Sequence, residues 1–266
     1  MQKFRKIGIL SSGGDAPGMN AAIRAVTRRA LSQGIEVVGI LGGYAGLLGA
    51  ADESDPDVIR EKHLRPLDAH SVSNIVTRGG TILYSSRCPE FKTEAGMAKA
   101  LRVCHEQSID AIIAIGGDGT FRGATDLTNH GIPSIGIPGT IDNDITATEL
   151  TIGFDTALNT CLRMIDDLRD TAESHARCII TEIMGNGCGL LALYTGIASG
   201  AISIAIPEIP FDLDYACQKI ANARAVGKRG MIAICSEKLP ELDGVPFTDS
   251  YAAEIQQRTD VCTRIN

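Results

Sequence analysis

No run of this chain approaches the roughly 20 apolar residues that cross a bilayer, and its opening, MQKFRKIGIL, holds too little apolar sequence for a secretory leader. Both absences point to a cytoplasmic protein with no membrane segment. Nor is there a block of Lys and Arg long enough for a sustained positive field. The balance of 25 basic against 32 acidic residues leaves a net charge of −7, which speaks against a nucleic-acid or anionic-membrane partner. Any anion site must be local. The eight cysteines, at positions 88, 104, 161, 178, 188, 217, 235 and 262, form no C-x-x-C pair and no Cys/His ligand spacing, so they read as reduced, mostly structural thiols. Internal repeats and low-complexity segments are also missing. What remains is 266 residues, 44% hydrophobic and 21% charged, enough for one large α/β domain or two lobes.

Short apolar runs recur at Ile7 to Leu10, Val37 to Leu41, Ala111 to Ile115, Ser134 to Ile137, Cys178 to Ile183, Ile202 to Ile206 and Met231 to Cys235. Each has the length of a strand and reads as buried on both faces. Helical patterns lie between them, at Met19 to Ser32, Gly96 to Gln107, Phe121 to His130, Phe154 to Ser174 and Leu213 to Val226. This alternation predicts an α/β fold with mostly parallel sheets and crossover helices. The polar stretch from Pro138 to Thr151 separates two such series, giving a predicted division into residues 1–140 and 141–266.

In an open parallel sheet, ligands gather beyond the carboxyl ends of the strands. Four loops stand there: SSGGDAPGMN after Leu10, GGDGT after Ile115, PGTIDND after Ile137 and MGNGCG after Ile183. Many of the 29 glycines crowd into them, as backbones that approach a ligand closely require. In the first loop, Gly13 and Gly14 precede a helix expected near Pro17, so free N–H groups and the helix dipole can face a phosphate. No Gly-Lys-Ser/Thr follows, which excludes a Walker A loop. A plain strand-to-helix turn capped by Asp15 or Asn20 accounts for the same residues.

In GGDGT, the glycines leave one carboxylate, Asp118, able to hold Mg²⁺ against nucleotide phosphates. A side chain at Gly117 or Gly119 would obstruct that approach. The competing reading is a common Asp-Gly turn, and the motif is shared with NAD and lipid kinases. PGTIDND narrows the choice. Asp142 and Asp144 stand two positions apart, and in extended backbone such side chains point the same way. One carboxylate could then take a proton from an attacking hydroxyl while the other positions metal or water, with Thr140 donating to a phosphoryl oxygen. A solvated acidic turn is the bland alternative.

The segments GILSSGGDAPGMNAAIRA, SNIVTRGGTILYSSRCPEF, IDAIIAIGGDGT and IPGTIDNDI, followed by TIGFDTAL, LRDTAESH and ICSEK, closely resemble the ATP-dependent 6-phosphofructokinases of bacterial type over nearly the whole chain. The resemblance implies two Rossmann-like three-layer lobes and transfer of the γ-phosphoryl group of MgATP to the 1-hydroxyl of fructose 6-phosphate. It further implies that Gly13, Arg87, Cys88, Gly117, Asp118, Gly119 and Thr120 surround ATP, with Mg²⁺ on Asp118. Asp142 is implied as base, with Thr140 and Asp144 in support. Arg177, Met184, Gly185, Asn186, Glu237 and Arg264 are matched to the sugar-phosphate site, with Arg177 reaching a neighbouring subunit of a homotetramer. Arg24, Arg28, Arg169, Lys228 and Arg229 match an effector site for ADP or phosphoenolpyruvate, although Ile202 stands where bacterial members commonly carry a glutamate of the effector response. Pyrophosphate-dependent members have an acidic residue in place of Gly119 and a lysine in place of Gly139, so the two glycines imply ATP as donor.

Two departures from the family pattern qualify these expectations. Asn186 stands where the family has an arginine that stabilises the transferring phosphoryl group. After QQRTDVCTRIN the family would continue through a His-Ile-Gln-Arg-Gly-Gly loop and further elements, which implies a first lobe lacking its C-terminal return and some uncovered sheet surface. The runner-up reading is therefore a weak or inactive homologue that binds nucleotide or sugar phosphate, or that assembles with a complete subunit.

Overall fold

A computed structural model describes residues 4–265 apart from 147, 243, 260 and 262, and without the side chains of 264 and 265. Cys262 and the side chain of Arg264 thus lie outside the described residues. The chain forms two compact units. The first takes the described residues up to Thr140 together with Asp144–Gly153, and the second takes Ile141–Asn143 and the described residues from Phe154 onward.

In the first unit, β1 (Lys6–Ser12) leads through α1 (Met19–Ser32) to β2 (Glu36–Ile40). Then come α2 (Tyr44–Asp52), α3 (Pro56–Lys62) and β3 (Leu64–Leu67). A 3₁₀ turn at Pro89–Lys92 precedes α4 (Glu94–Glu106), β4 (Ala111–Gly116), α5 (Asp118–Asn129), β5 (Ser134–Thr140) and the two-residue β6 (Ile152–Gly153). The sheet order is β3-β2-β1-β4-β5-β6. After β1 the chain turns to one side of the sheet and after β4 to the other, so the strand order reverses between β1 and β4. That is where an open α/β sheet forms a crevice.

The apolar runs fold as they do because Ile9, Leu10, Ile112 and Ile115 lose all exposure in the sheet. Met19, Ile23 and Ala30 recur on one face of α1 with helical spacing and are buried there. On the core formed with α2 and α4, Tyr44 stacks on Phe91 at 4.1 Å between ring centroids.

The second unit holds α6 (Phe154–His175), β7 (Cys178–Ile183), α7 (Leu190–Ser199), β8 (Ser203–Ala205), α8 (Leu213–Ala225), β9 (Met231–Ser236), α9 (Phe247–Thr259) and β10 (Thr263–Ile265). Its strands are all parallel, in the order β10-β7-β9-β8. The chain leaves β7 toward β8 and leaves β9 toward β10, so here the reversal falls between β7 and β9.

The sheets are mostly parallel, as expected, with β3 alone antiparallel to β2 among the described strands. Three local expectations need correction. The run from Ser134 is not buried on both faces, because Ile135 keeps 64% exposure where β5 has only the short β6 beyond it, pairing at Gly139 and Thr140. Neither Asp15 nor Asn20 caps α1: Gly18, at φ 94°, is the N-cap, and Asn20 is buried. The backbone through PGTIDND is not extended throughout, since β5 runs on to Thr140 and Asn143 turns left-handed at φ 54° between the two aspartates. Asparagine tolerates that conformation better than most residues.

Candidate active site

At the β1/β4 reversal the loops are built from backbone. Gly13 is left-handed at φ 89°. Gly116 admits no side chain, because a Cβ there would stand 2.4 Å from the Ser12 carbonyl oxygen. Around Gly14 and Gly119, by contrast, a Cβ would meet nothing within 4 Å. Neither α1 nor α5 has a side chain hydrogen-bonded at its N-cap, Gly18 and Gly117 respectively. Two helices therefore begin at this crevice with no side chain on their first-turn amides, the arrangement that suits a phosphate.

The helix α5 starts at Asp118, three residues earlier than its apolar pattern suggests, so this carboxylate belongs to the first helical turn. It is exposed and pairs with Arg122 at 2.7 Å. Thr120 is buried, and its hydroxyl donates to the Ser12 carbonyl at 2.9 Å, tying the two loops together. Tyr44 Oη donates to the Thr120 carbonyl from below, at 2.7 Å. Thr140 lies beside GGDGT, since a Cβ on Gly117 would come 3.9 Å from its own Cβ, and its carbonyl accepts from Thr151 Oγ1 at 2.6 Å.

The far wall is the irregular segment 78–88, of which sequence reasoning singled out only Arg87 and Cys88. Buried Asn20 anchors it, donating to the carbonyls of Arg78 (3.0 Å) and Gly79 (3.2 Å) and accepting from the Ile82 amide (2.8 Å). Ser11 Oγ donates to the Tyr84 carbonyl, Ser85 Oγ to that of Gly13 and Ser86 Oγ to that of Gly42. Arg87 is exposed, while Cys88 is half-buried against the core around Tyr44. Of the wall, only the serine-rich sequence could have hinted at such contacts. Arg122 was legible as an i,i+4 partner of Asp118.

The β7/β9 reversal is built differently. Glu237, directly after β9, accepts from the amides of Gly185 (2.9 Å) and Asn186 through one carboxylate oxygen. Glu208 accepts from the Gly189 amide, at the start of α7, at 2.7 Å. Lys238 Nζ donates to Asn186 Oδ1. Met184 stands exposed beside them. Thus Met184, Gly185, Asn186 and Glu237 are brought together.

Arg177 is not with them. It precedes β7, at the opposite end of a six-residue strand, or on the order of 20 Å away. Lys228 and Arg229 lie just before β9, at that same amino edge, where Arg229 donates to the carbonyls of Glu173 (3.2 Å) and Ser174 (3.1 Å). Arg169 bonds Asp166 at 3.1 Å and the Ser199 carbonyl. In the first unit, Arg24 donates to the Val72 carbonyl at 2.9 Å and Arg28 is exposed. The backbone of Arg264 pairs with Ile179 in the sheet.

Burial pushes the thiols of Cys104, Cys178 and Cys235 up to about 12, which keeps them protonated and unreactive at neutral pH. Among the described residues, no group of three or more His, Cys, Asp or Glu is placed to hold a metal, and no helix is long and apolar enough to cross a membrane.

Two open, mostly parallel-sheet units, one with uncapped helices at a glycine crevice, define an α/β protein with a crevice suited to phosphate. The phosphofructokinase family model matches residues 6–266, and the chain belongs to that family. It is 46% identical to the ATP-dependent 6-phosphofructokinase of Halalkalibacterium halodurans, over 98% of this chain and 76% of the relative. It is 48% identical to the ATP-dependent 6-phosphofructokinase 1 of Clostridium perfringens, over 98% of this chain and 76% of that protein. Among solved structures, the phosphofructokinase of Saccharomyces cerevisiae aligns with a TM-score of 0.87 and 32% identity, covering 98% of this chain and 37% of the yeast chain. The chain thus spans about three quarters of the bacterial relatives and a little over a third of the yeast subunit.

Proposed function

We propose that this chain is an ATP-dependent 6-phosphofructokinase, transferring the γ-phosphoryl group of ATP to the 1-hydroxyl of fructose 6-phosphate. The observation that carries the reading is the pair of uncapped helices, α1 and α5, at the strand reversal beside Gly13, Gly117 and Gly119. Backbone amides and two helix dipoles there favour a polyphosphate, and the absence of side chains lets it approach. The open space at Gly119 suits a nucleotide, whereas an aspartate at that position would project a charge into it. A Cβ on buried Gly139 would come 3.1 Å from Ile115 Cγ2 and 3.5 Å from Met19 Cε, so a lysine there would need these side chains to shift. Both glycines favour ATP over pyrophosphate.

Asp142 is the base: its carboxylate takes the proton of the sugar 1-hydroxyl as that oxygen attacks phosphorus in line with the departing ADP. Thr140 donates to a phosphoryl oxygen, and Asp144 supports the acidic loop. Glu237, whose carboxylate is already fixed by the Gly185 and Asn186 amides, accepts sugar hydroxyls. An exposed carboxylate at a helix start fits Mg²⁺, which takes one or two protein carboxylates and fills its sphere with phosphate oxygens and water. Asp118 would hold it, with exposed Arg122 exchanging to a phosphate. Bound there, Mg²⁺ would supply neutralisation of polyphosphate charge.

A coupled assay with fructose 6-phosphate and MgATP tests the reading. Asp142→Asn is expected to lower kcat by about a hundred- to ten-thousand-fold, and equal rates for the two proteins would reject it. One observation favours the second reading, a weak homologue: Asn186 carries no charge and its carboxamide oxygen is taken by Lys238. If Asn186→Arg raises kcat by tenfold or more, that loss limits this chain.

The basic residues Arg24, Arg28, Arg169, Lys228 and Arg229 are proposed to bind ADP or phosphoenolpyruvate as effector, and Arg177 to serve a neighbouring subunit's sugar phosphate. The position of Arg177 at the opposite end of β7 from Glu237 supports the latter. ADP titration of Arg169→Ala checks the effector role, with unchanged affinity counting against it. Light scattering checks for the homotetramer.

A further inference from the structure

The carboxyl ends of β7 and β9 hold a cation that the reaction outlined above does not use. Lys238 is exposed and donates to Asn186 Oδ1, a neutral partner. Among the described residues it has no carboxylate within ion-pair distance. Lys238 and Asn186 are both left-handed, at φ 58° and 53°. They turn out of their strands just past the paired residues Ile183 and Ser236. Non-glycine residues with that backbone are few, and they cluster at functional sites.

Three amides of this loop are already held by carboxylates. Gly185 and Asn186 donate to Glu237, and Gly189 donates to Glu208. An anion arriving here meets two carboxylates, although α7, like α1 and α5, starts at a glycine with no side-chain cap. A side-chain cation offsets that repulsion.

We infer that Lys238 is a substrate-binding residue: its ammonium contacts the phosphate oxygens of the sugar phosphate while Glu237 accepts the sugar hydroxyls. Asn186 is a positioning residue that holds the ammonium in place. This assignment rests on the sugar-phosphate reading of the β7/β9 crevice, in which a polyol phosphate gives its hydroxyls to the carboxylate and its phosphate to the ammonium.

Calorimetric titration of fructose 6-phosphate into the full chain tests the assignment, with Lys238→Ala, Lys238→Arg, Asn186→Leu and the Asn186→Leu/Lys238→Ala double variant alongside. Lys238→Ala is expected to weaken binding by about tenfold, as loss of one charged hydrogen bond does. It should also flatten the dependence of affinity on salt. Lys238→Arg should stay within about threefold of the unaltered chain, because it keeps the charge. Asn186→Leu should weaken binding alone but add nothing in the double variant, which separates positioning from a general structural role.

A folded Lys238→Ala that binds as tightly, with the same salt dependence, overturns the assignment. If the unaltered chain binds no fructose 6-phosphate, the assignment and the sugar-phosphate reading fall together. If it binds with the expected Lys238 dependence but does not turn over, the assignment stands and only the kinase reading fails.

Discussion

The two units solve the same problem at the same place with different materials. Each reverses its strand order between two parallel strands, β1 and β4 in one, β7 and β9 in the other. In the first unit the crevice is glycine and helix starts, with exposed carboxylates at Asp15 and Asp118. In the second, the amides of Gly185, Asn186 and Gly189 are held by Glu237 and Glu208, and the charge offered to solvent is a lysine. Backbone amides suit a polyphosphate whatever it is attached to. A fixed carboxylate beside an ammonium suits a smaller ligand with hydroxyls and a single phosphate. The difference agrees with the proposal that nucleotide binds at the first crevice and sugar phosphate at the second.

The contrast can be broken most sharply at Gly119. Gly119→Asp should raise the KM for ATP by about fivefold or more, since like charges about 4 Å apart cost on the order of 1 kcal/mol even in bulk water. Thermal stability should be unchanged, because nothing lies within 4 Å of the added Cβ. Gly116→Ala tests the opposite case. Its Cβ would stand 2.4 Å from both the Ser12 carbonyl oxygen and Thr120 Oγ1, and chemical denaturation should show about 1–3 kcal/mol of lost stability.

The smallest effect belongs to capping. Asp212 accepts from the Tyr215 amide at 2.8 Å and caps α8. Asp212→Ala should cost about 1 kcal/mol by the same measurement, with the KM for ATP unaltered. A larger loss, or any shift in ATP affinity, would blur the line between helices capped by their own side chains and helices left open for a ligand.

Much of this was readable from sequence, and unevenly so. The bounds of β7 and α1 follow directly from their apolar runs, because a six-residue buried strand and a one-faced helix leave clear periods. In contrast, α7 is apolar nearly all round, α3 is only seven residues long, and α2 carries glycines, so none of them shows a clean period. The glycine loops announced the first crevice through composition. The second crevice was legible in part, through Glu237 and MGNGCG. Lys238 was not, since one lysine after a strand has no pattern and only the fold brings it to Asn186. The expected extended run between Asp142 and Asp144 failed at Asn143, whose left-handed turn leaves no mark beyond the residue type itself.

The most direct test of the two-crevice account is a crossed measurement of KM for ATP and for fructose 6-phosphate in Gly119→Asp and Lys238→Ala. The account predicts that Gly119→Asp raises only the first constant and Lys238→Ala only the second. If either substitution moves both constants equally, or moves the one assigned to the other unit, the division of labour between the two strand reversals is wrong.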